Sequence, residues 1–272
     1  MATRPLALIT GASSGIGAEL ALTFADRGYD LLLLARNRDR LERVAAEAEK
    51  RGAAVETFIA DLATPQGLAS AAERAANGDV DLLVSNAGNA GYAPLKDVPA
   101  TDVDGLWRLN ATAPVTLTHA VLPSLLAKGE GGIVTVASLL AFSAGMRSLT
   151  SANATAPLTM PPRTLYAAAK SATVAFTRTL AGELAGTGVS ATVVCPGRVA
   201  TEWSAGRNQN GADIMSAQDV ATATAVAVER GDTVCVPGLA HPELLEQLLE
   251  VESALVRDGN RAVLADRYQT RP

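Results

Sequence analysis

The 272-residue sequence is poor in cysteine, in aromatic residues and in basic charge, and these shortages exclude several classes of protein. Its two cysteines, Cys195 and Cys235, lie in apolar runs, which indicates small core residues and not a disulfide or a metal pair. The net charge of −5 and the pI of about 5.2 argue against a nucleic-acid surface, because phosphate binding needs a basic excess. His119 and His241 lack companions at metal-ligand spacing, so no metal is predicted.

Long hydrophobic runs are also missing. The apolar stretch near the N-terminus is too short for a signal peptide, and no run approaches the roughly 18 apolar residues of a membrane span. With 48% hydrophobic residues, the chain has enough apolar side chains for one substantial core. We therefore expect a soluble cytoplasmic protein without a membrane or nucleic-acid partner.

Short apolar runs alternate with segments of helical period along most of the chain. The apolar runs predict strands at 6–10, 30–35, 54–60, 80–85, 131–137, 189–195 and 233–236. Between them, helices are predicted at about 15–27, 38–51, 66–77, 102–128, 164–186 and 217–230. Continuous apolar runs such as 31–35 are typical of strands buried on both faces. The pattern therefore indicates the α/β class, with a parallel sheet of about seven strands and helices on both faces.

A glycine-rich turn follows the first predicted strand and opens the first predicted helix. Gly11, Gly15 and Gly17 allow a tight turn, close approach to a pyrophosphate and tight helix packing, while the helix N-terminus supplies oriented N–H groups. The context of strand, turn and helix is the one that such a motif requires. The turn therefore predicts nucleotide binding on a Rossmann-type, doubly wound sheet.

The end of the second predicted strand bears on the choice of cofactor. Dinucleotide folds place there an acidic residue for the 2′-hydroxyl of NAD or an arginine for the 2′-phosphate of NADP. Here the acidic position is Ala35 and Arg36 follows it, so NADP(H) is favoured over NAD(H). Ser13 either donates to the same phosphate or only orders the turn. Arg38 and Arg40 either add charge or form a solvated helix face.

The spacing G-x-x-x-G-x-G, together with later motifs, resembles the short-chain dehydrogenase/reductase family. The matching motifs run in order along nearly the whole chain: Thr10 to Gly17, Asp61-Leu62, Asn86-Ala87-Gly88, Asn110, Ser138, Tyr166-x-x-x-Lys170, and Pro196-Gly197 followed by Thr201. The resemblance implies an NADP(H)-dependent oxidoreductase that interconverts a ketone or aldehyde and an alcohol by hydride transfer. Two alternatives stay open, a noncatalytic NADP(H)-binding or sensing protein and an NAD-dependent alcohol dehydrogenase.

The resemblance also implies a cofactor site along one edge of the sheet. Asp61 would contact the adenine amino group and Leu62 would bound that ring, although Asp61 could instead cap the segment after the strand. Asn86 would brace the strands, although Asn86-Ala87-Gly88 could instead be a plain turn that ends a strand. Thr201 would flank the nicotinamide. The implied cofactor-binding residues are Gly11, Ser13, Ser14, Gly15, Ile16, Gly17, Arg36, Asp61, Leu62, Asn86, Ala87, Gly88, Tyr166, Lys170, Pro196, Gly197, Val199 and Thr201.

Four residues are candidates for the chemistry. Tyr166 and Lys170 share a helix face, and the positive charge is expected to lower the pKa of the phenol from about 10 toward working pH. Tyr166 would then be the general acid/base, and by resemblance Lys170 also holds the nicotinamide ribose. Ser138 ends a strand, where its hydroxyl either bonds the substrate oxygen or orders a turn. Asn110 is a poor helix former within a predicted helix. By resemblance it would hold a water in a proton relay with Lys170, and the alternative is a structural asparagine.

One departure from the family concerns the interval between Ser138 and Tyr166. It is roughly twice the dozen or so positions usual in the family, and loops this long are commonly functional or disordered. The insertion, 139–163 with its loop at 144–163, either acts as a lid that selects the substrate or obstructs the pocket. Three other serines lie nearer to Tyr166, but only Ser138 is fixed by the end of a strand: Ser143, Ser148 and Ser151.

We expect one catalytic domain over residues 1–272, with this insertion, a substrate loop at 198–216 and a C-terminal helical extension at 241–272. Trp203 in the substrate loop either forms a substrate wall or packs structurally. Asn153 begins a glycosylation motif without a secretory context, so it receives no role. By resemblance, the helices at 102–128 and 164–186 pair in a homodimer or homotetramer, an arrangement that the C-terminal extension could change.

Overall fold

The computed structural model describes residues 4–149, 158–201 and 214–269, and the chain divides into two compact units between Pro237 and Gly238. The strands are β1 (Leu6–Thr10), β2 (Asp30–Ala35), β3 (Val55–Ile59), β4 (Val80–Ser85), β5 (Gly131–Val136), β6 (Ser148–Leu149), β7 (Leu158–Thr159), β8 (Val189–Val194), β9 (Val199–Ala200), β10 (Met215–Ser216) and β11 (Val234–Cys235). The α-helices are α1 (Gly15–Asp26), α2 (Arg38–Glu49), α3 (Pro65–Ala75), α4 (Ala100–Trp107), α5 (Ala113–Lys128), α6 (Thr164–Glu183), α7 (Ala217–Arg230) and α8 (Glu243–Gly259).

The first unit is built on a seven-stranded parallel sheet with the order β11-β8-β5-β4-β1-β2-β3. This confirms the predicted doubly wound sheet and its number of strands. The chain runs outward in one direction from β1 to β3 and in the other from β4 to β11. Ligands of such sheets bind outside the carboxyl ends of the strands where the order reverses, here between β1 and β4.

Two hydrophobic clusters bury the helices against the sheet. One contains Leu20 and Phe24 of α1 with Leu41 of α2, and the other contains Leu117 and Leu125 of α5. Each such side chain is at most 1% exposed, and complete burial stabilises the fold by about 1.5–3 kcal/mol per large apolar side chain. The two clusters confirm the prediction of helices on both faces.

The helix predicted at 102–128 is present as a continuous helical segment over residues 100–128, with one irregularity inside it. The structure has α4, then a π turn over Arg108–Thr112, then α5. The side chain of Asn110 bonds back to the carbonyl oxygen of Leu106, and the Thr173 hydroxyl donates to the carbonyl oxygen of Asn110 at 3.0 Å. These bonds give hydrogen-bond partners to backbone carbonyl oxygens in and before the wider turn, and so they stabilise the π turn.

The insertion contains more structure than the predicted loop. A 3₁₀ turn spans Leu139–Phe142, and β6 pairs antiparallel with β7 as the stem of a hairpin. Several sequence-based predictions lie outside the described residues: those for Ser151, Asn153, Trp203 and most of the loop at 198–216.

The second unit contains α8 within the predicted C-terminal extension. Its large apolar residues are mostly exposed, for example Leu255 at 71% and Val256 at 74%. In the described parts of both units, no helix combines the length and the apolar character needed to cross a membrane.

Candidate active site

The glycine-rich turn between β1 and α1 has no room for side chains. Gly11 and Gly15 adopt positive φ angles of 68° and 54°, which favour glycine. A Cβ on Gly17 would collide with the carbonyl oxygen of Gly11, so α1 packs directly on the turn. The Asn86 amide donates to the carbonyl oxygen of Thr10 at 3.0 Å and joins the turn to the end of β4. This bare backbone at a helix N-terminus fits a pyrophosphate.

A cleft of about 500 Å³ lies beside this turn. Ser13 lines one side, and Arg40 and Arg43 of α2 line the other. Arg36, the predicted phosphate ligand, is 72% exposed, and its guanidinium lies 3.6 Å from the carboxylate of Asp61. The sequence left Arg40 open and missed Arg43, although their spacing of three residues on a helix places both on one face.

The other predicted cofactor residues lie at the same edge of the sheet. Asp61 accepts a bond from the backbone N–H of Ala63 at 3.0 Å, and the carbonyl oxygen of Pro196 accepts one from Leu139 at 2.9 Å. The remainder sit after the carboxyl ends of β1, β3, β4 and β8: Ser14, Ile16, Leu62, Ala87, Gly88, Gly197, Val199 and Thr201.

The structure brings three of the candidate catalytic residues together. Tyr166 and Lys170 lie one turn apart on α6 and are 6% and 4% exposed, while Ser138 follows β5. The hydroxyls of Ser138 and Tyr166 are hydrogen-bonded. The Lys170 ammonium donates to the carbonyl oxygen of Val136 at 2.8 Å and lies 5.8 Å from the centre of the Tyr166 ring.

Burial dominates the proton affinities of this pair. It raises the pKa of Tyr166, Tyr92 raises it further, and the hydrogen bond from Ser138 lowers it. The expectation that Lys170 draws the phenol pKa down is therefore wrong for this arrangement, because loss of solvent outweighs the opposing contributions. Burial also lowers the pKa of Lys170 to about 8.

Asn110 lies in the π turn and is 2% exposed. Its side chain exchanges two hydrogen bonds with the backbone of Asn89, at 2.9 Å and 3.2 Å. A Cβ on Gly88 would stand 3.0 Å from the Asn110 amide oxygen and 3.3 Å from the Lys170 ammonium. The absence of a side chain at Gly88 therefore lets both polar atoms pack closely against this backbone.

Sequence reasoning missed Tyr92 as a residue of this site. Its ring packs edge-on against the ring of Tyr166, with centres 5.4 Å apart and an interplanar angle of 86°. Tyr92 is 39% exposed, so it forms the outer layer over a buried phenol. The available signal was an aromatic residue just after the Asn86-Ala87-Gly88 motif, in a chain with only 4% aromatic residues.

The low pKa of Lys170 predicts a pH-dependent stability. Between the folded value of about 8 and the usual value of 10.5, the unfolded chain keeps a proton that the folded protein has released. Stability therefore rises with pH over this window, by up to about 3 kcal/mol from this group. Lys170→Met lacks this titrating group. Chemical denaturation at about pH 7 and pH 10 should therefore show that the free energy of unfolding of the wild type increases relative to that of the variant. A pH-independent difference between the two proteins would contradict this prediction.

Comparison with known proteins places this site in a family. The model described as short chain dehydrogenase matches residues 5–212. The 1-deoxy-11-beta-hydroxypentalenate dehydrogenase of Streptomyces exfoliatus is 36% identical over 224 residues, which cover 79% of this chain and 76% of that protein.

Two solved structures share nearly the whole fold. The short-chain dehydrogenase from Sphingobium yanoikuyae in complex with NADPH has a TM-score of 0.86 and 32% identity, and covers 97% of this chain and 100% of its own. The bulky-bulky ketone specific alcohol dehydrogenase from Comamonas testosteroni has a TM-score of 0.85 and 28% identity, with coverage of 98% and 99%.

The fold and the comparisons together define an α/β oxidoreductase of the nicotinamide-binding class. Within that class, the chain belongs to the short-chain dehydrogenase family. The resemblance inferred from the sequence motifs is thereby confirmed.

Proposed function

We propose that the protein is an NADPH-dependent reductase that interconverts a ketone or aldehyde and an alcohol. The observation that carries this proposal is the cluster of Ser138, Tyr166 and Lys170 at the carboxyl edge of the sheet, next to the glycine-rich turn. A noncatalytic binding protein would have no need for a buried phenol hydrogen-bonded to a serine and packed beside a buried ammonium. Burying a phenol and an ammonium costs free energy, and a catalytic role gives a reason for that cost.

Each residue of the cluster has a separate part in the reduction. When bound, NADPH supplies the hydride. Tyr166, kept protonated by burial, donates a proton to the carbonyl oxygen, and Ser138 bonds that oxygen and orients it. The Lys170 ammonium lies over the ring of Tyr166, and Asn110 lies beside Gly88, from where a proton relay to Lys170 would run.

Preference for the phosphorylated cofactor rests on the cleft lined by Ser13, Arg40 and Arg43. Guanidinium groups bind phosphate through charge-assisted hydrogen bonds. Arg36 stands at the end of β2 and contributes from the side of Asp61. The NADPH complex of the Sphingobium relative supports this choice.

Equilibrium titration with NADPH and NADH, followed by cofactor fluorescence, tests the cofactor assignment. Arg40→Ala is expected to weaken NADPH binding by about 10- to 100-fold and to leave NADH binding unchanged, since the lost bonds go only to the phosphate. Arg38→Ala is the matched control, because Arg38 lies on the same helix and pairs with Glu42 at 3.6 Å. Arg36→Ala measures separately how much Arg36 contributes to NADPH binding. Preference for NADH in the wild type would overturn the phosphate site and favour the NAD-dependent alternative.

The substrate class that fits best is a ketone with a bulky substituent. Tyr92 covers Tyr166 with a partly exposed ring and would form an aromatic wall beside the reacting carbonyl. The Comamonas relative, which covers nearly the whole chain, is described as specific for bulky-bulky ketones. Ketone-dependent oxidation of NADPH, measured over a series of ketones of increasing size, tests both the reaction and this preference.

We also propose a cytoplasmic homodimer or homotetramer, as the family resemblance implies. Exposed apolar residues on the helices around the π turn support an interface there, namely Trp107 at 39%, Val115 at 42% and Leu126 at 43%. Isolated exposed apolar residues are common, but several along one helical segment are typical of contact surfaces.

A further inference from the structure

One side chain closes the base of the long insertion. Arg163 lies immediately before α6. At the N-terminal (outgoing) end of the insertion, its Nε donates to the hydroxyl of Ser143 at 2.9 Å. Its Nη2 donates to the carbonyl oxygens of Ser143 at 2.8 Å and of Met146 at 2.9 Å. At the returning end, Nη1 donates to the carbonyl oxygen of Pro161 at 3.1 Å. A single guanidinium therefore joins both ends of the insertion.

The outgoing end leads directly to Ser138. Ser143 is 5% exposed, and its hydroxyl donates to the carbonyl oxygen of Leu140 at 2.7 Å. The backbone N–H of Leu140 in turn donates to the hydroxyl of Ser138 at 3.1 Å. The contact between Arg163 and Ser143 thus reaches Ser138 through one intervening residue.

The returning end leads directly to the phenol. Arg163 is followed by the first turn of α6, which carries Tyr166. Ser171 on the same helix donates to the carbonyl oxygen of Ala141 at 2.7 Å, so the helix also contacts the turn that follows Ser138. The bonded path from Ser138 to Tyr166 through Arg163 bypasses the residues between Met146 and Pro161.

We propose that Arg163 is a positioning residue, which fixes the hydroxyls of Ser138 and Tyr166 relative to each other across the insertion. The inference rests on the proposed reductase function. Both hydroxyls must meet the same carbonyl oxygen, and a displacement of about 1 Å at a reacting group can cost about 100-fold in rate. A long insertion between them would loosen this geometry, and the guanidinium restores a short connection.

The first experiment compares Arg163→Met with Arg147→Met in the reduction of a bulky ketone by NADPH. Arg147 is an exposed arginine on the same insertion and supplies the matched loss of charge. Arg163→Met is expected to lower kcat by about 10- to 100-fold. Its Kd for NADPH should stay within about twofold of wild type, because the glycine-rich turn lies on other elements, and Arg147→Met should match wild type in both values. Equal kcat in Arg163→Met and wild type would overturn the proposal.

A double-mutant cycle separates positioning from a general loss of structure. In a Ser138→Ala background there is no serine hydroxyl to hold in register, so Arg163→Met should lose most of its effect on kcat. An undiminished effect there would overturn the proposal. If Arg163→Met does not fold, Arg163→Lys replaces it, since one ammonium cannot reproduce the four bonds, and the same cycle decides. Wild-type protein without ketone reduction would overturn the reductase assignment as well, whereas active wild type with an equally active Arg163→Met overturns this inference alone.

Discussion

Tyr166→Phe is expected to lower kcat for ketone reduction by about 100- to 10,000-fold, the range that a positioned general acid contributes. The substitution removes only the hydroxyl. The ring keeps its edge-on contact with Tyr92 and its place below Lys170, so the fold and cofactor binding should persist. Steady-state kinetics and a parallel NADPH titration on the same preparation provide the two values.

The control for this variant is Tyr29→Phe. Tyr29 also packs edge-on against another ring, that of Phe24, with centres 5.4 Å apart, but it lies in the cluster beneath α1. It should retain wild-type kcat. A Tyr166→Phe protein with kcat within about threefold of wild type would remove the acid/base assignment, since such a loss is far below that of a general acid.

Ser138→Ala should lower kcat by about 100- to 1,000-fold, as removal of one preorganised hydrogen-bond donor does in other enzymes. The hydroxyl has two partners in the structure, Tyr166 and the backbone N–H of Leu140, and the alanine variant loses both contacts. The second loss affects the local turn, so the melting temperature must be measured beside kcat. A large fall in kcat with a small fall in melting temperature is the expected result.

Ser148→Ala is the matched control for the serine. Ser148 lies nearer to Tyr166 along the chain, but the structure places it in β6 of the hairpin stem, exposed to solvent. It should leave kcat unchanged. A greater loss in Ser148→Ala than in Ser138→Ala would show that strand position did not identify the reacting serine.

The sheet could be predicted because its strands are apolar without interruption. Residues such as Leu31 to Leu34 are fully buried, and such runs leave little choice of environment. Gly11 and Gly17 could also be predicted, because close backbone contacts at these two positions leave no room for a side chain. The environment of a position that many neighbours constrain can therefore be predicted from a single sequence.

Other parts of the site depend on contacts between distant segments. The pKa of Tyr166 is set by burial under Tyr92, and no spacing along the chain reports that cover. Arg40 faces the glycine-rich turn only because α2 packs beside α1. Arg163 carries no motif, and its role emerges from four acceptors that the insertion brings together. Such features are tertiary, so a single sequence cannot supply them.

The π turn at Arg108–Thr112 also limits how chain length can change in this protein. Each residue of an α-helix turns the chain by about 100°, so the additional residue of the wider turn rotates α5 by about that angle relative to α4. Leu106 before the turn lies against Gly91, while Leu117 beyond it lies in the core. Deleting one residue here would regularise the helix but turn one of these faces away from its neighbour. Changes in length should therefore be tolerated within the insertion, whose ends Arg163 joins, but not in the middle of this helix.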